Sequence, residues 1–420
     1  MYQRTALDNG LSVLTSSMPH TRSVSMAIFV GAGSRYESDE IAGASHFLEH
    51  LLFKGTKRWP TARELSEEVE GVGGIMNAST DREMTVFWCK VARLHFRRAL
   101  SVLVDMMLNP LLNPIEVEKE REVVLEELRM TNDYPTNRVD LLIDETLWPN
   151  QPMGRDVGGS LDSVRSITHE QILDYFRHQY APGNTVVAVA GDVTHGETVD
   201  LLSEAFKEWA PQAPMSWYPV QDGQEAPRVR VEQRKTDQAH LCIGLPGLPL
   251  THPDRYALGL MNVILGEGMS SRLFLELREK QSLAYDVHSS LNLFRDCGSL
   301  VIYCGVEPQK VKKTIGAILE QLNGLQSNIP EAELEKAREL SKGRMLLRME
   351  DSRSVAMWMG AQETLTGKVR TVDEVVERMD TVTTRDIEQV AADLIREDKL
   401  NLAVVGPYRS DRRFRSLLKL

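Results

Sequence analysis

An α+β fold of two homologous α/β domains joined by a linker is predicted by three features of this 420-residue sequence. Strand-like and helical segments follow one order before residue 212 and recur in that order after 228, the pattern of an internal duplication. The stretch between them, APQAPMSWYPVQDGQEAP, is broken by Pro, Gln, Gly and Trp and reads as a linker. Each half also closes on a similar apolar run, at 186–191 and at 401–406. The expected division is a first domain at 1–212, a linker at 213–228 and a second domain at 229–420, each an antiparallel-rich sheet packed with helices.

The elements justify this in order. A hairpin turns at Asn9-Gly10, a dipeptide that tolerates positive φ. Runs rich in Val and Ile at 11–16 and 23–30 read as strands. Helical periodicity follows from about 41 to 54 and from 61 to 70, where Thr61 and Glu64 have the spacing of a capping box. Residues 74–90 return to strand and 92–108 to helix, and Asn113-Pro114 supplies an N-cap and first-turn proline for a helix to about 131. A buried strand at 184–192 and a helix near 196–208 complete the half. The second half repeats the pattern with strand 228–245, helices 253–265 and 271–280, strands within 283–305, and helices 307–325 and 330–350.

Composition excludes several classes. Apolar residues at 42% and charged residues at 26% are ordinary for a folded soluble chain. A net charge of −11 argues against nucleic acid, which demands clustered Lys and Arg. Four scattered cysteines (Cys89, Cys242, Cys297, Cys304) form no CxxC pair, so neither a disulfide framework nor a cysteine metal site is expected. Polar residues interrupt the N-terminus too early for a signal peptide, and no apolar run approaches the ~20 residues of a membrane span. The expected location is cytoplasmic.

Chemistry is concentrated in His46-Phe-Leu-Glu49-His50. On a helix these three polar side chains stand at i, i+3 and i+4 and share one face. Two imidazoles one turn apart can present nitrogens to one zinc ion at about 2.0–2.1 Å. A carboxylate between them is placed to take a proton from the attacking water and pass it to the departing amine. The pattern is the inverted form of the His-Glu-x-x-His zinc motif. Such a spacing also arises by chance, but Phe47, Leu48, Leu51, Leu52 and Phe53 would bury the helix, and three buried polar groups without partners would cost several kcal/mol. A metal removes that cost.

A catalytic zinc takes a third protein ligand and keeps one position open. The acids between Glu116 and Glu127 are the candidates, since Glu120 and Glu127 lie seven apart on one helical face with Val123 and Val124 in phase between them. Glu126 falls about 100° away, toward solvent. Without the upstream motif, the ordinary reading of these acids is a charged surface shared with Lys119 and Arg121.

With these residues in hand, the chain resembles the pitrilysin family of zinc peptidases, in its mitochondrial-processing-peptidase-like branch with short bacterial members. The stretches that carry the resemblance are HFLEHLLFKGT at 46–56, GGIMNAST at 73–80, EREVVLEEL at 120–128 and GEGMSSRLF at 266–274. The resemblance implies His46, His50 and Glu127 as ligands of one zinc ion per chain, Glu49 as the general base, and Glu120 as an acid supporting the metal site. It implies that Asn77 and Ala78 lie on an edge strand where a peptide substrate adds as a further strand. It also implies that Arg278 and Tyr285, within Arg278-Glu-Lys-Gln-Ser-Leu-Ala-Tyr285, hold substrate and stabilise the developing oxyanion. From composition alone Asn77 would be an ordinary strand end, Arg278 a surface residue and Tyr285 half-buried.

The second half carries no His-x-x-Glu-His, so one zinc site per chain follows. Relatives of this length pair into a hollow clam-shell, which implies a homodimer, or a heterodimer with an inactive homologue, and peptides or unfolded segments as substrates. A non-catalytic scaffold subunit of the same fold is the alternative function, and the intact motif argues against it. A structural zinc site is the third reading; it would need four protein ligands and leave Glu49 without a purpose. The histidines at 20, 95, 169, 178, 195, 240, 252 and 288 show no ligand spacing and read as surface or structural.

Overall fold

The computed structural model describes residues 2–420 and divides into two compact units, each with its own sheet. The first sheet contains β1 (Tyr2–Ala6), β2 (Ser12–Ser17), β3 (Ser23–Val30), β4 (Ile75–Thr80), β5 (Thr85–Ala92) and β6 (Thr185–Gly191), in the order β1-β2-β6-β3-β5-β4. The second contains β7 (Arg228–Gln233), β8 (Ala239–Gly247), β9 (Ala284–Leu293), β10 (Gly298–Val306) and β11 (Asn401–Gly406), in the order β7-β11-β8-β10-β9. Omitting β1, the two plans superpose neighbour by neighbour. The β2/β6 and β7/β11 pairs are parallel, and every following pair is antiparallel. This is the duplication that the recurring element order predicts.

Two segments depart from the expected boundaries. Residues 129–155, expected in the first domain, belong to the second unit, and residues 346–371 belong to the first. Each carries a helix that covers the outer face of the sheet it joins. Helix Ser352–Thr366 places Ala356 and Met359 against Ala27, Phe29, Val86 and Ala188. Helix Pro135–Leu147 places Val139, Leu142 and Ile143 against Cys242, Ala403 and Val405. The other face of the first sheet is closed by α1 (Ala44–Leu52), α2 (Ala62–Glu70), α3 (Phe96–Leu108) and α4 (Pro114–Asp133), through side chains such as Phe47, Leu65, Leu103 and Val124.

Most elements stand where the pattern puts them. Thr61 and Glu64 form the expected capping box, and Asn113 Oδ1 accepts from the Ile115 N–H at the start of α4. Residues 209–225 carry no regular structure, and β7 begins at Arg228, the last residue of the linker expected at 213–228. One helix differs in kind: Phe274–Lys280, within the stretch expected as helix 271–280, is a π-helix, with the Gln281 N–H bonded five residues back to Glu276.

Candidate metal centre

The motif helix α1 begins at Gly43, whose φ of 97° lies in the left-handed region. A Cβ here would stand 2.4 Å from the Gly158 carbonyl oxygen, so glycine is needed for space as well as for conformation. No side chain of the cap itself satisfies the helix start. The carboxylate of Glu37, fully buried, accepts from the N–H groups of Gly43 and Ser45 at 2.7 Å each. It meets two of the orphan donors and opposes the positive end of the helix dipole. Phe47, Leu48, Leu51 and Leu52 then face the core, leaving His46, Glu49 and His50 half-buried on one face.

On that face the His46 and His50 Nε2 atoms stand 3.3 Å apart. Glu127 Oε2 lies 3.5 Å from His50 Nε2 and 3.9 Å from His46 Nε2. Two ligands held at 2.0–2.1 Å from one tetrahedral ion lie roughly 3.3–3.4 Å apart. The three donors therefore already approach the edges of a zinc coordination tetrahedron, and among the described residues they form the one His/Cys/Asp/Glu group of this kind.

Protonation favours the same use at His46; burial would lower the His50 imidazole too, but its bond to Glu120 and the charges of Glu127, Glu120 and Glu49 hold it above the usual range. Burial, followed by the neighbouring His50, pushes the His46 imidazole down to about 4, leaving it neutral near pH 7. His50 Nδ1 lies 2.9 Å from Glu120 Oε1, and a proton donated there leaves the Nε2 lone pair directed at the other donors. Glu120, buried on α4, is bound on its second oxygen by Lys54 Nζ at 2.5 Å. Its burial alone would raise the carboxyl, but the hydrogen bonds from His50 and Lys54 outweigh this and hold it below the usual carboxylate range.

Glu49 differs. Burial raises its carboxyl despite a 2.5 Å hydrogen bond donated by Thr80 Oγ1 to Oε2. A carboxylate made more basic than usual beside three metal-type donors suits a proton acceptor.

The helical phase of α4 holds in part. Glu120 and Val124 are buried and Glu127 half-buried, but Val123 is 45% exposed and does not share the inward face. Position 123 is three residues past Glu120 and four before Glu127, and the drift of a 3.6-residue helix carries it to the rim.

Asn77 and Ala78 lie on β4, which forms the outer edge of its sheet. Residues 76, 78 and 80 point to the α1 side, whereas Asn77 pairs across from Trp88 and points to the opposite face. In the second unit the structure brings Arg278 and Tyr285 together. The guanidinium stands 4.5 Å from the centre of the Tyr285 ring and 4.8 Å from that of Phe274, and its Nη1 donates to the Tyr285 carbonyl at 3.3 Å. Tyr285 is 77% exposed.

Sequence reasoning missed Glu37, Lys54 and the role of Thr80. Lys54 and Thr80 fall inside quoted motif stretches, yet only tertiary contacts show what each one binds. Of the remaining histidines, His195 has both ring nitrogens engaged, with Thr5 and Thr15, and His169 meets the Leu112 carbonyl. Both fit the structural role expected of them.

Similarity to known proteins agrees with this geometry. Residues 12–160 match the family model described as insulinase (peptidase family M16), and residues 166–341 match that described as the peptidase M16 inactive domain. An uncharacterized zinc protease of Streptomyces coelicolor is 35% identical over 97% of this chain and 90% of its own. The uncharacterized zinc protease YmxG of Bacillus subtilis is 34% identical over 97% and 98%. Among solved structures, a protease from Helicobacter pylori superposes with a TM-score of 0.91 at 24% identity, covering 97% of this chain and 99% of that one. A chain of complex III2 from Candida albicans superposes with a TM-score of 0.83 at 18% identity, covering both chains fully. No helix of the described residues is long and apolar enough to cross a membrane. With relatives above 30% identity along nearly its whole length, the chain belongs to peptidase family M16, the pitrilysin family.

Proposed function

We propose that this chain is a zinc-dependent endopeptidase in which His46, His50 and Glu127 hold the metal and Glu49 is the general base. The observation that carries the reading is the near-tetrahedral set of donors with a raised carboxyl beside it. When bound, zinc supplies the Lewis acidity that polarises a peptide carbonyl and makes water nucleophilic near neutral pH. Glu49 takes the proton of the attacking water on Oε1, the oxygen that Thr80 does not hold, and returns it to the departing amine nitrogen. Glu120 fixes the His50 ring and its tautomer. Asn77 and Ala78 offer main-chain hydrogen bonds at the β4 edge to an extended peptide, which suits varied sequences. Arg278 and Tyr285 hold substrate and stabilise the oxyanion. The working assembly is a homodimer, or a heterodimer with an inactive homologue, in the cytoplasm, with peptides or unfolded segments enclosed in a chamber.

The scaffold alternative draws on the likeness to a complex III2 chain, but that likeness concerns fold alone, and a scaffold has no use for a complete donor set. The deciding experiment is Glu49→Gln assayed on a quenched peptide library with zinc quantified in the same preparation. Retained zinc with kcat reduced by about 10²–10⁴-fold is expected. Full activity of the variant, or no cleavage by the zinc-loaded wild type, would sink the mechanism.

A further inference from the structure

We infer that Thr80 is a positioning residue for the general base, tying the orientation of Glu49 to the edge strand β4. The inference rests on the proposed role of Glu49 and deepens it.

A glutamate on a helix has three side-chain torsions, and its carboxylate sweeps a wide arc unless something holds it. Thr80 Oγ1 donates to Glu49 Oε2 at 2.5 Å. A charge-assisted bond of this length fixes one oxygen and leaves the other to face the proton it must accept. Thr80 is the last residue of β4 and the register partner of Thr85 at the closing end of the β4–β5 hairpin. Its side chain falls on the α1 face because it alternates with Ser79, and a shift of one residue would turn it to the opposite face.

Both ends of the Thr80–Glu49 contact are held by one short segment. Ser34 N–H and Arg35 N–H donate to the carbonyls of Asp81 and Arg82 in the hairpin turn. The Arg35 guanidinium meets Glu83 at 2.6 Å with both side chains buried. Gly33 lies so close to that turn that a Cβ would stand 2.4 Å from the Asp81 carbonyl oxygen. Asp81 Oδ1 in turn accepts from the N–H groups of Glu83 and Met84, locking the turn from inside. Two residues beyond Arg35, Glu37 grips the start of α1. The segment 33–37 therefore sets the distance between the helix that carries the base and the hairpin that carries its hydroxyl partner. A peptide that lengthens the sheet at β4 lies along the same strand that aims Glu49.

The test compares Thr80→Val, which keeps the shape and removes the donor, with Thr80→Ser, which keeps the donor. In steady-state cleavage of a quenched peptide, Thr80→Val is expected to lose about 10- to 100-fold in kcat, with KM within about twofold and zinc unchanged. Thr80→Ser is expected to recover to within about threefold of wild type. In the Glu49→Gln background Thr80→Val is expected to add no further loss, because residues acting as one unit are non-additive. A Thr80→Val kcat within twofold of wild type overturns the inference. So does Thr80→Ser as slow as Thr80→Val, loss of zinc in Thr80→Val, or a further fall in the Glu49→Gln background. If Glu49→Gln is inactive while Thr80→Val is normal, only the positioning role falls. If Glu49→Gln is fully active, or zinc-loaded wild type cleaves nothing, the reading beneath it falls too.

Discussion

The first and second units share a sheet plan and diverge in what is attached to it. In the first, the segment after β3 folds into α1, whose polar face carries two imidazoles and a carboxylate. In the second, the segment after β8 folds into helix Arg255–Gly266, whose corresponding stretch is Leu, Met, Asn, Val and Ile, all buried. Between that helix and β9 the second unit carries the π-helix with Arg278, and Tyr285 follows on β9, the counterpart of β4. The sheet is thus the shared part of the duplication, and the connections around it differ, one carrying the His46-Glu49-His50 face and the other Arg278 and Tyr285.

The outer faces teach the same lesson in packing. On the first sheet Phe29 projects at Gly360, and a Cβ on that glycine would stand 2.0 Å from the Phe29 ring. On the second sheet the sizes are exchanged: the glycine is Gly244, on the strand, and Ile143 supplies the bulk from the helix. Two equivalent interfaces reach close packing with the large and small partners reversed, which volume complementarity allows and sequence similarity alone would not reveal.

The largest expected effect attacks the contiguity of the units. A fragment of residues 1–212 lacks helix Ser352–Thr366, leaving Phe29, Val86 and Ala188 open to water. It is expected to show no cooperative melt by circular dichroism, and fusing residues 346–371 through a flexible linker is expected to restore one. A cooperative transition in the bare fragment would mean the exchanged helix is dispensable. Next, His50→Ala is expected to reduce zinc from one ion per chain to none by metal analysis. Retained stoichiometric zinc would remove His50 from the ligand set or place a site in the second unit, ending the division of labour.

The packing comparison predicts smaller changes. Gly360→Ala and Gly244→Ala should each cost about 1–3 kcal/mol in chemical denaturation. Phe29→Leu should relieve only the first and Ile143→Val only the second, and cross-rescue would contradict the pairings. Smallest are the caps that the units hold in common, Thr168 on helix His169–Gln179 before β6 and Thr383 on helix Thr384–Leu394 before β11. Each Thr→Ala change should cost about 1 kcal/mol, read as a modest fall in Tm. A much larger loss at one of them would show that its helix end does more than satisfy its own backbone.

What was legible in the sequence follows from where each signal resides. The His46-Glu49-His50 set could be read because the three residues lie within about one helical turn and the apolar residues around them follow one period. The edge position of Asn77 and Ala78 and the substrate-holding role of Arg278 and Tyr285 came through the family resemblance, and the sheet order puts β4 at the edge. Helices Pro135–Leu147 and Ser352–Thr366 were not read. Each buries its apolar side against a sheet contributed largely by the other half of the chain, and the second carries Gly360 where propensity disfavours helix. The π-helix differs from an α-helix in which carbonyl each N–H finds, and FLELREK serves either. Thr80 at a strand end and Glu37 in a loop are ordinary residues until the fold brings Glu49 and the start of α1 to them.

The exchange of helices also bears on how the chain is made. Translation delivers β1 through β6 early, yet the helix that covers their outer face ends at residue 366. At roughly 5–20 residues per second, some tens of seconds at the slow end pass between β6 leaving the ribosome and the arrival of its cover. Throughout that interval a nascent sheet presents Phe29 and its neighbours uncovered, an apolar surface open to aggregation. The reciprocal exchange therefore makes closure of the first unit wait until most of the chain is made, before β11 has completed the second sheet.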